Sequence, residues 1–406
     1  MLMSADKNAR CRIAPAAKLA TLAVAALLAI PLVVGLTDDS ADRTQRENRT
    51  LAAWPRYEQA KGLAAYFDSL GAWIDDHMGF VGPVNEGYRK AQFYLFGDRP
   101  VPNVDIGEDG FVFLNSHEAD NPNARYRTTC DPAGPRVRMT TRALARLGEA
   151  ARSRKIALTV AIVPSKVMLY PEKLPETVDA RWRETCQALS LENSLPGQVG
   201  AGLEGTPVRF FFPFEPIAAR KAMPDYYPPG NFHAASRINH DFSRLLLEDI
   251  GIRMPPDYGH GATLQVVGSD IAVMGFRRRA RAWVFEYDEY GVEQSRQQPV
   301  WIRDYFPRTN DFGMFETARP TSERVALMLS NSFGMYMAPH LAPGFRRLYH
   351  VSMNSFTAPL MTAGIGPLVE GTQPTDLVIL LHDGGFNAGL LMNLAEALEN
   401  TVSSKQ

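Results

Sequence analysis

The sequence predicts an α/β protein: a parallel β-sheet flanked by helices, carrying a β-rich insertion and preceded by a transmembrane helix. Three observations predict it. Short apolar runs ending in polar turns, IALTVAIVPS, ERVALMLSNSFG and TDLVILLHDGG, recur between stretches of helical periodicity. Strands that are hydrophobic throughout belong in a sheet covered on both faces. Finally, residues 19–36, LATLAVAALLAIPLVVGL, carry no charge over about the length that crosses hydrocarbon as a helix.

With 406 residues, 45% of them hydrophobic, the chain has ample material for a buried core. Lys and Arg total 43 against 44 Asp and Glu, a net charge of -1, so no global charge excess points to nucleic acid as a partner.

Taken in order, residues 1–18 hold Lys7, Arg10, Arg12 and Lys18, whereas Asp38, Asp39 and Asp42 follow the apolar run. That asymmetry predicts a cytoplasmic N-terminus, a single-pass anchor at 19–36 in the inner membrane, and export of everything beyond it to the periplasm. A cleaved signal peptide is the rival reading; the run exceeds the usual apolar region of such peptides, and no A-x-A site follows it. Residues 37–100 read as a polar tether followed by amphipathic helices. Leu63, Tyr66, Phe67, Leu70, Trp73 and Ile74 recur at helical spacing, and a second helical stretch covers 85–96.

Residues 101–406 read as the α/β domain. VDIGEDGFVFL predicts a hairpin about an acidic Gly turn. Helices are predicted near 137–154 and 235–249, and residues 251–323, rich in Gly, Pro and aromatics, form the β-rich insertion. Cys11 falls on the cytoplasmic side, so Cys130 and Cys186 form the one disulfide available to the exported part; two buried free thiols are the alternative.

Ligands of such sheets bind beyond the strand C-termini, which directs attention to Ser332, Asp383 and the loop after Pro164. Ser332 stands between an apolar strand and helix-compatible sequence, where it serves either as a nucleophile or as an N-cap. His233, in a Pro/Gly-rich loop before a helix, is a candidate base or a satisfied core histidine. Asn231 lies two residues before it, and in an extended segment would share its face and orient the imidazole. Arg277, Arg278, Arg279 and Arg281, with Trp283, Phe285 and Tyr287, read as a charged strand edge or, less favoured, as a surface for an anionic glycan. No HExxH, CxxC, P-loop or dinucleotide spacing is present, so no metal and no soluble cofactor is predicted.

ENRTLAAWP, FDSLGAWIDDHMGFVGPV, VDIGEDGFVFL, VAIVPSKVMLYPEKLP, GNFHAAS, MLSNSFG and TDLVILLHD, in this order, resemble the alginate O-acetyltransferase family, whose exported domains are SGNH-hydrolase-like. The resemblance spans about 47–389. It matches a Gly-Asp/Thr-Ser motif to Ser330, Asn331 and Ser332, and an Asp-x-His-Trp motif to residues 231–234. Three positions differ: Ser330 stands for Gly, Asn231 for Asp and Ala234 for Trp.

The resemblance implies a polysaccharide O-acetyltransferase working through an acyl-enzyme on Ser332, with His233 as base and the backbone N–H groups of Ser332 and Phe333 as oxyanion donors. It also implies a polysaccharide acceptor and a membrane-bound partner that passes acetyl groups across the bilayer. Asn231 in the acid position predicts a rate penalty unless Asp225, Asp241 or Asp383 substitutes. A glycan-binding scaffold without efficient chemistry and an acetyl esterase are the alternative functions.

Overall fold

The computed structural model describes residues 24, 51–59, 62–77, 81–97, 104–115, 124–131, 134–271, 276, 278–303 and 312–403. The predicted anchor at 19–36 lies outside the described residues, Val24 aside. Among the described residues no helix is long and apolar enough to cross a membrane.

The chain divides into two compact units, Met1–Ala91 and Gln92–Gln406. The first contains α1 (Gly62–His77) and most of α2 (Val81–Phe96). Trp73 of α1 meets Trp54 edge-on at 4.6 Å, while Leu63 and Phe67 remain exposed.

The second unit opens with an antiparallel pair, β1 (Val104–Ile106) and β2 (Val112–Leu114). Asp109 and Gly110 both take positive φ in the intervening turn, a conformation that glycine adopts without strain. Next come α3 (Ala124–Cys130), α4 (Gly134–Ser153), β3 (Ala157–Val163), α5 (Lys166–Leu169), α6 (Ala180–Gln187), α7 (Leu195–Gly202), β4 (Val208–Phe211), α8 (Phe214–Ala218) and α9 (Arg237–Asp249). The stretch read as an insertion holds the antiparallel pair β5 (Thr263–Gly268) and β6 (Arg279–Val284), then β7 (Val292–Ser295), α10 (Val300–Arg303) and β8 (Phe312–Thr317). The chain ends in β9 (Val325–Ser330), α11 (Gly334–Leu341), β10 (Arg347–Ser352), α12 (Ala358–Thr372), β11 (Asp376–His382) and α13 (Ala388–Ser403).

Seven strands form the central sheet in the order β4-β3-β11-β9-β10-β8-β7. The five from β4 to β10 run parallel, and β8 and β7 add an antiparallel edge. The second half of the insertion therefore extends the main sheet instead of forming a separate one.

Period-two alternation explains why the central strands are apolar throughout. Leu158, Val160, Leu327, Leu329, Leu377 and Ile379 face the layer of α4, α7, α12 and α13. Ala161, Val163, Ala326, Met328, Val378 and Leu380 face the layer of α9 and α11. A separate cluster of Phe113, Tyr126, Val167, Leu174 and Val178 surrounds the disulfide between Cys130 and Cys186. With both faces covered, the open places in the sheet are its strand ends, where β9, β11 and β3 deliver Ser332, Asp383 and Ser165.

Candidate active site

β9 ends at Ser330, and α11 begins at Gly334, so Ser332 occupies the turn between them. Its turn is tightly tied. Asn331 N–H donates to Leu380 O (3.3 Å), Asn331 Oδ1 accepts from Phe333 N–H (3.1 Å), and Asn331 O accepts from Gly334 N–H (3.1 Å). Beneath the turn, the Ser330 hydroxyl donates to Asn331 O (2.7 Å) and lies 2.8 Å from His350 Nε2. A Cβ at position 334 would sit 1.9 Å from Ser330 Oγ, so glycine there is a packing requirement.

His233 stands in the loop before α9. Its Nε2 is 2.8 Å from Ser332 Oγ, across 99 residues of sequence, and its Nδ1 is 3.1 Å from Asp270 Oδ2. Asp270 follows β5 and is clamped from both sides: Oδ1 accepts from Phe232 N–H (3.2 Å) and Oδ2 from His233 N–H (2.7 Å). A carboxylate only accepts, so the hydrogen of the neutral ring resides on Nδ1, and the Nε2 lone pair faces the serine hydroxyl. The side chains of His233 and Asp270 are 10% and 4% exposed, which keeps the pair in surroundings of low polarity. Phe232, Phe333 and Tyr336 enclose the imidazole at ring centroid distances of 4.1, 5.0 and 4.8 Å. Burial, then the Asp270 charge, push the Tyr336 hydroxyl up to about 12, so that it stays protonated beside the pair.

Asn231 does not orient the imidazole. Its Oδ1 accepts from the backbone N–H of Asp270 (3.2 Å), so it holds the acid that holds the histidine. The residues around it explain why: the N–H groups of Phe232 and His233 both turn toward one carboxylate, a local wrap in which residues 231 and 233 do not share a face as they would in a strand. The acids weighed as substitutes are engaged elsewhere. Asp225 pairs with Arg281, Asp241 with Arg220 at 2.7 Å, and Asp383 accepts from Ser165 N–H at 2.9 Å, tying the end of β11 to the end of β3.

Of the two N–H groups expected at an oxyanion site, Phe333 N–H is already taken by Asn331 Oδ1. Ser332 N–H has no acceptor among the described residues. Arg277 lies outside the described residues. Arg279 and Arg281 project from β6, and the Arg237 guanidinium stacks 4.1 Å over Trp283.

No family model matches the chain, and no curated protein matches it. Among solved structures it is similar to Bacillus cereus PatB1 with a sulfonyl adduct, at 12% identity over 71% of this chain and 98% of that one, with a TM-score of 0.49. It is similar to a DHHW family protein from Eubacterium siraeum, at 13% identity over 73% and 94%, with a TM-score of 0.46. It is also similar to the O-acetyltransferase domain of Pseudomonas putida AlgJ, at 12% identity over 74% and 99%, with a TM-score of 0.43.

Proposed function

We propose that this protein is a serine acyltransferase that moves acetyl groups onto hydroxyls of an exported polysaccharide. The observation that carries the chemistry is the continuous hydrogen-bonded line from Ser332 Oγ through His233 to Asp270. His233 Nε2 takes the hydroxyl proton as Ser332 Oγ attacks the acetyl carbonyl, and Asp270 stabilises the imidazolium that forms. Ser332 N–H is the donor available to the tetrahedral oxygen. The intermediate collapses as His233 returns the proton to the leaving group. In the second half, a sugar hydroxyl gives its proton to His233, attacks the acetyl ester and releases Ser332.

Acetyl as the acyl group and polysaccharide as the acceptor rest on the resemblance of the quoted segments. So does the membrane-bound acetyl-passing partner, whereas the place of the domain on the periplasmic side of an inner-membrane anchor rests on the uncharged run at 19–36 and the Lys and Arg residues before it. The test is a pre-steady-state burst from an aryl acetate followed by acetyl transfer to oligosaccharide. Wild type should give a burst of one equivalent, and Ser332→Ala should give none. A burst that survives in Ser332→Ala, or free acetate as the product whatever glycan is supplied, sinks the transferase reading; the second result would make the protein an esterase.

A further inference from the structure

Lys166, the residue opening α5, is buried to 2% exposure. An ammonium taken out of water is costly unless its donors are used and its charge is compensated. Its Nζ donates to Pro228 O (2.6 Å) and Pro229 O (2.7 Å), and lies 5.0 Å from the Phe111 ring centroid and 4.9 Å from that of Tyr227.

Those two carbonyls belong to the turn that leads into His233. Asn231 N–H closes the turn on Pro228 O (3.2 Å), but Pro228 and Pro229 have no N–H of their own to give, so further hydrogen bonds to its carbonyls come from outside. Val112 N–H reaches Pro229 O (2.8 Å), and the Ser269 hydroxyl reaches Gly230 O. Lys166 alone bridges two successive carbonyls. It is itself fixed, because the preceding residue donates its N–H to Asp383 Oδ2 at the end of β11. The histidine loop is thus gripped through its carbonyls by Lys166 and through its amides by Asp270.

We propose that Lys166 is a positioning residue for His233: its two hydrogen bonds fix the proline turn and so hold the imidazole in line with Ser332. Burial lowers the Lys166 pKa well below the usual lysine range, and the Asp270 carboxylate opposes this. Ammonium and neutral amine alike carry the N–H donors that the two carbonyls need.

This inference rests on the reading that His233 activates Ser332, so the test has one readout that does not need acylation. Full-length Lys166→Met and Lys166→Gln are compared with wild type for burst rate, KM for the aryl acetate, and the downfield proton resonance of the His233 Nδ1–H hydrogen bond to Asp270. Lys166→Met is expected to lower the burst rate by about tenfold or more with little change in KM and to broaden or remove the resonance. Lys166→Gln, which keeps N–H donors on a side chain one atom shorter, should give a rate and a resonance between those of the Met variant and wild type. A Met variant with the wild-type rate and resonance overturns the proposal. If the Met variant does not fold, a folded Gln variant with both unchanged overturns it equally. Absence of any burst in wild type would count against the serine reading alone, because the resonance still compares the variants.

Discussion

At the residue scale, the acid is the member of the line whose role can be isolated. Asp270 accepts from the Nδ1–H and backbone N–H of His233 and from the backbone N–H of Phe232, so Asp270→Asn keeps size while removing the charge and one of the two acceptor oxygens. We expect the burst rate to fall by about 10³- to 10⁴-fold, and the melting temperature to fall as well, because the new amide NH2 must face a buried backbone N–H, at a cost of about 1–3 kcal/mol. Asn231→Ala removes one hydrogen bond to the Asp270 backbone and should cost about 1 kcal/mol of stability and less than about tenfold in rate. A drop in Asn231→Ala as deep as in Asp270→Asn would return the orienting role to Asn231. Ser332 and His233 were legible in the sequence because each stands at the edge of a recognisable element, after an apolar strand and before a helix. Asp270 was not. It lies 37 residues from His233, after a strand whose residues are nearly all exposed and so give no periodic signal, and only folding brings it against residues 232 and 233.

At the element scale, the junction of β9 and α11 works as one packed unit, and Ser330 is part of it. Its hydroxyl fills the space left by the missing side chain of Gly334 and bonds both the Asn331 carbonyl and His350. Gly334→Ala forces a Cβ into Ser330 Oγ and His350 Nε2, an overpacking expected to cost about 1–3 kcal/mol and to displace Ser332. Denaturant midpoints and burst rates should fall together; a variant with normal stability and rate would show that the turn can give way. The sequence offered Ser330 only as a departure from a motif, because its compensation by His350 lies on the neighbouring strand. Strands β3, β9 and β11 were legible, since apolar residues on both faces announce a covered strand. Strand β4 was not: Val208–Phe211 is a short edge strand that includes the exposed Arg209. The disulfide acts on another part of the fold, joining α3 to α6 across 56 residues. By loop-closure entropy a bridge of that span is worth about 4 kcal/mol, so Cys130→Ser should lower the urea midpoint while leaving the burst of the remaining folded protein near normal.

At the scale of the whole molecule, buried histidines link folding to proton concentration. His350 is 4% exposed and pushed down to about 4 by burial. Burial likewise pushes His240 to about 4, where it stacks on Phe285 and Tyr258, and His340 to about 3, with its Nδ1 2.6 Å from Tyr287 Oη. In the unfolded chain these rings titrate near about 6.5. Between the two values the unfolded chain binds more protons than the folded one, so stability rises with pH through this window. The neutral rings therefore contribute in full above about pH 6.5, and that contribution is lost as pH falls toward 4, by up to about 1.4 kcal/mol per pH unit for each group. Urea midpoints measured at pH 7.5, 6.5, 5.5 and 4.5 should decline progressively below 6.5. Because His240 packs on aromatic faces, His240→Phe should make the decline shallower without introducing a charge. A wild-type midpoint that stays level between 6.5 and 4.5, or a slope that His240→Phe leaves unaltered, would mean that these rings accept protons inside the fold as readily as in water.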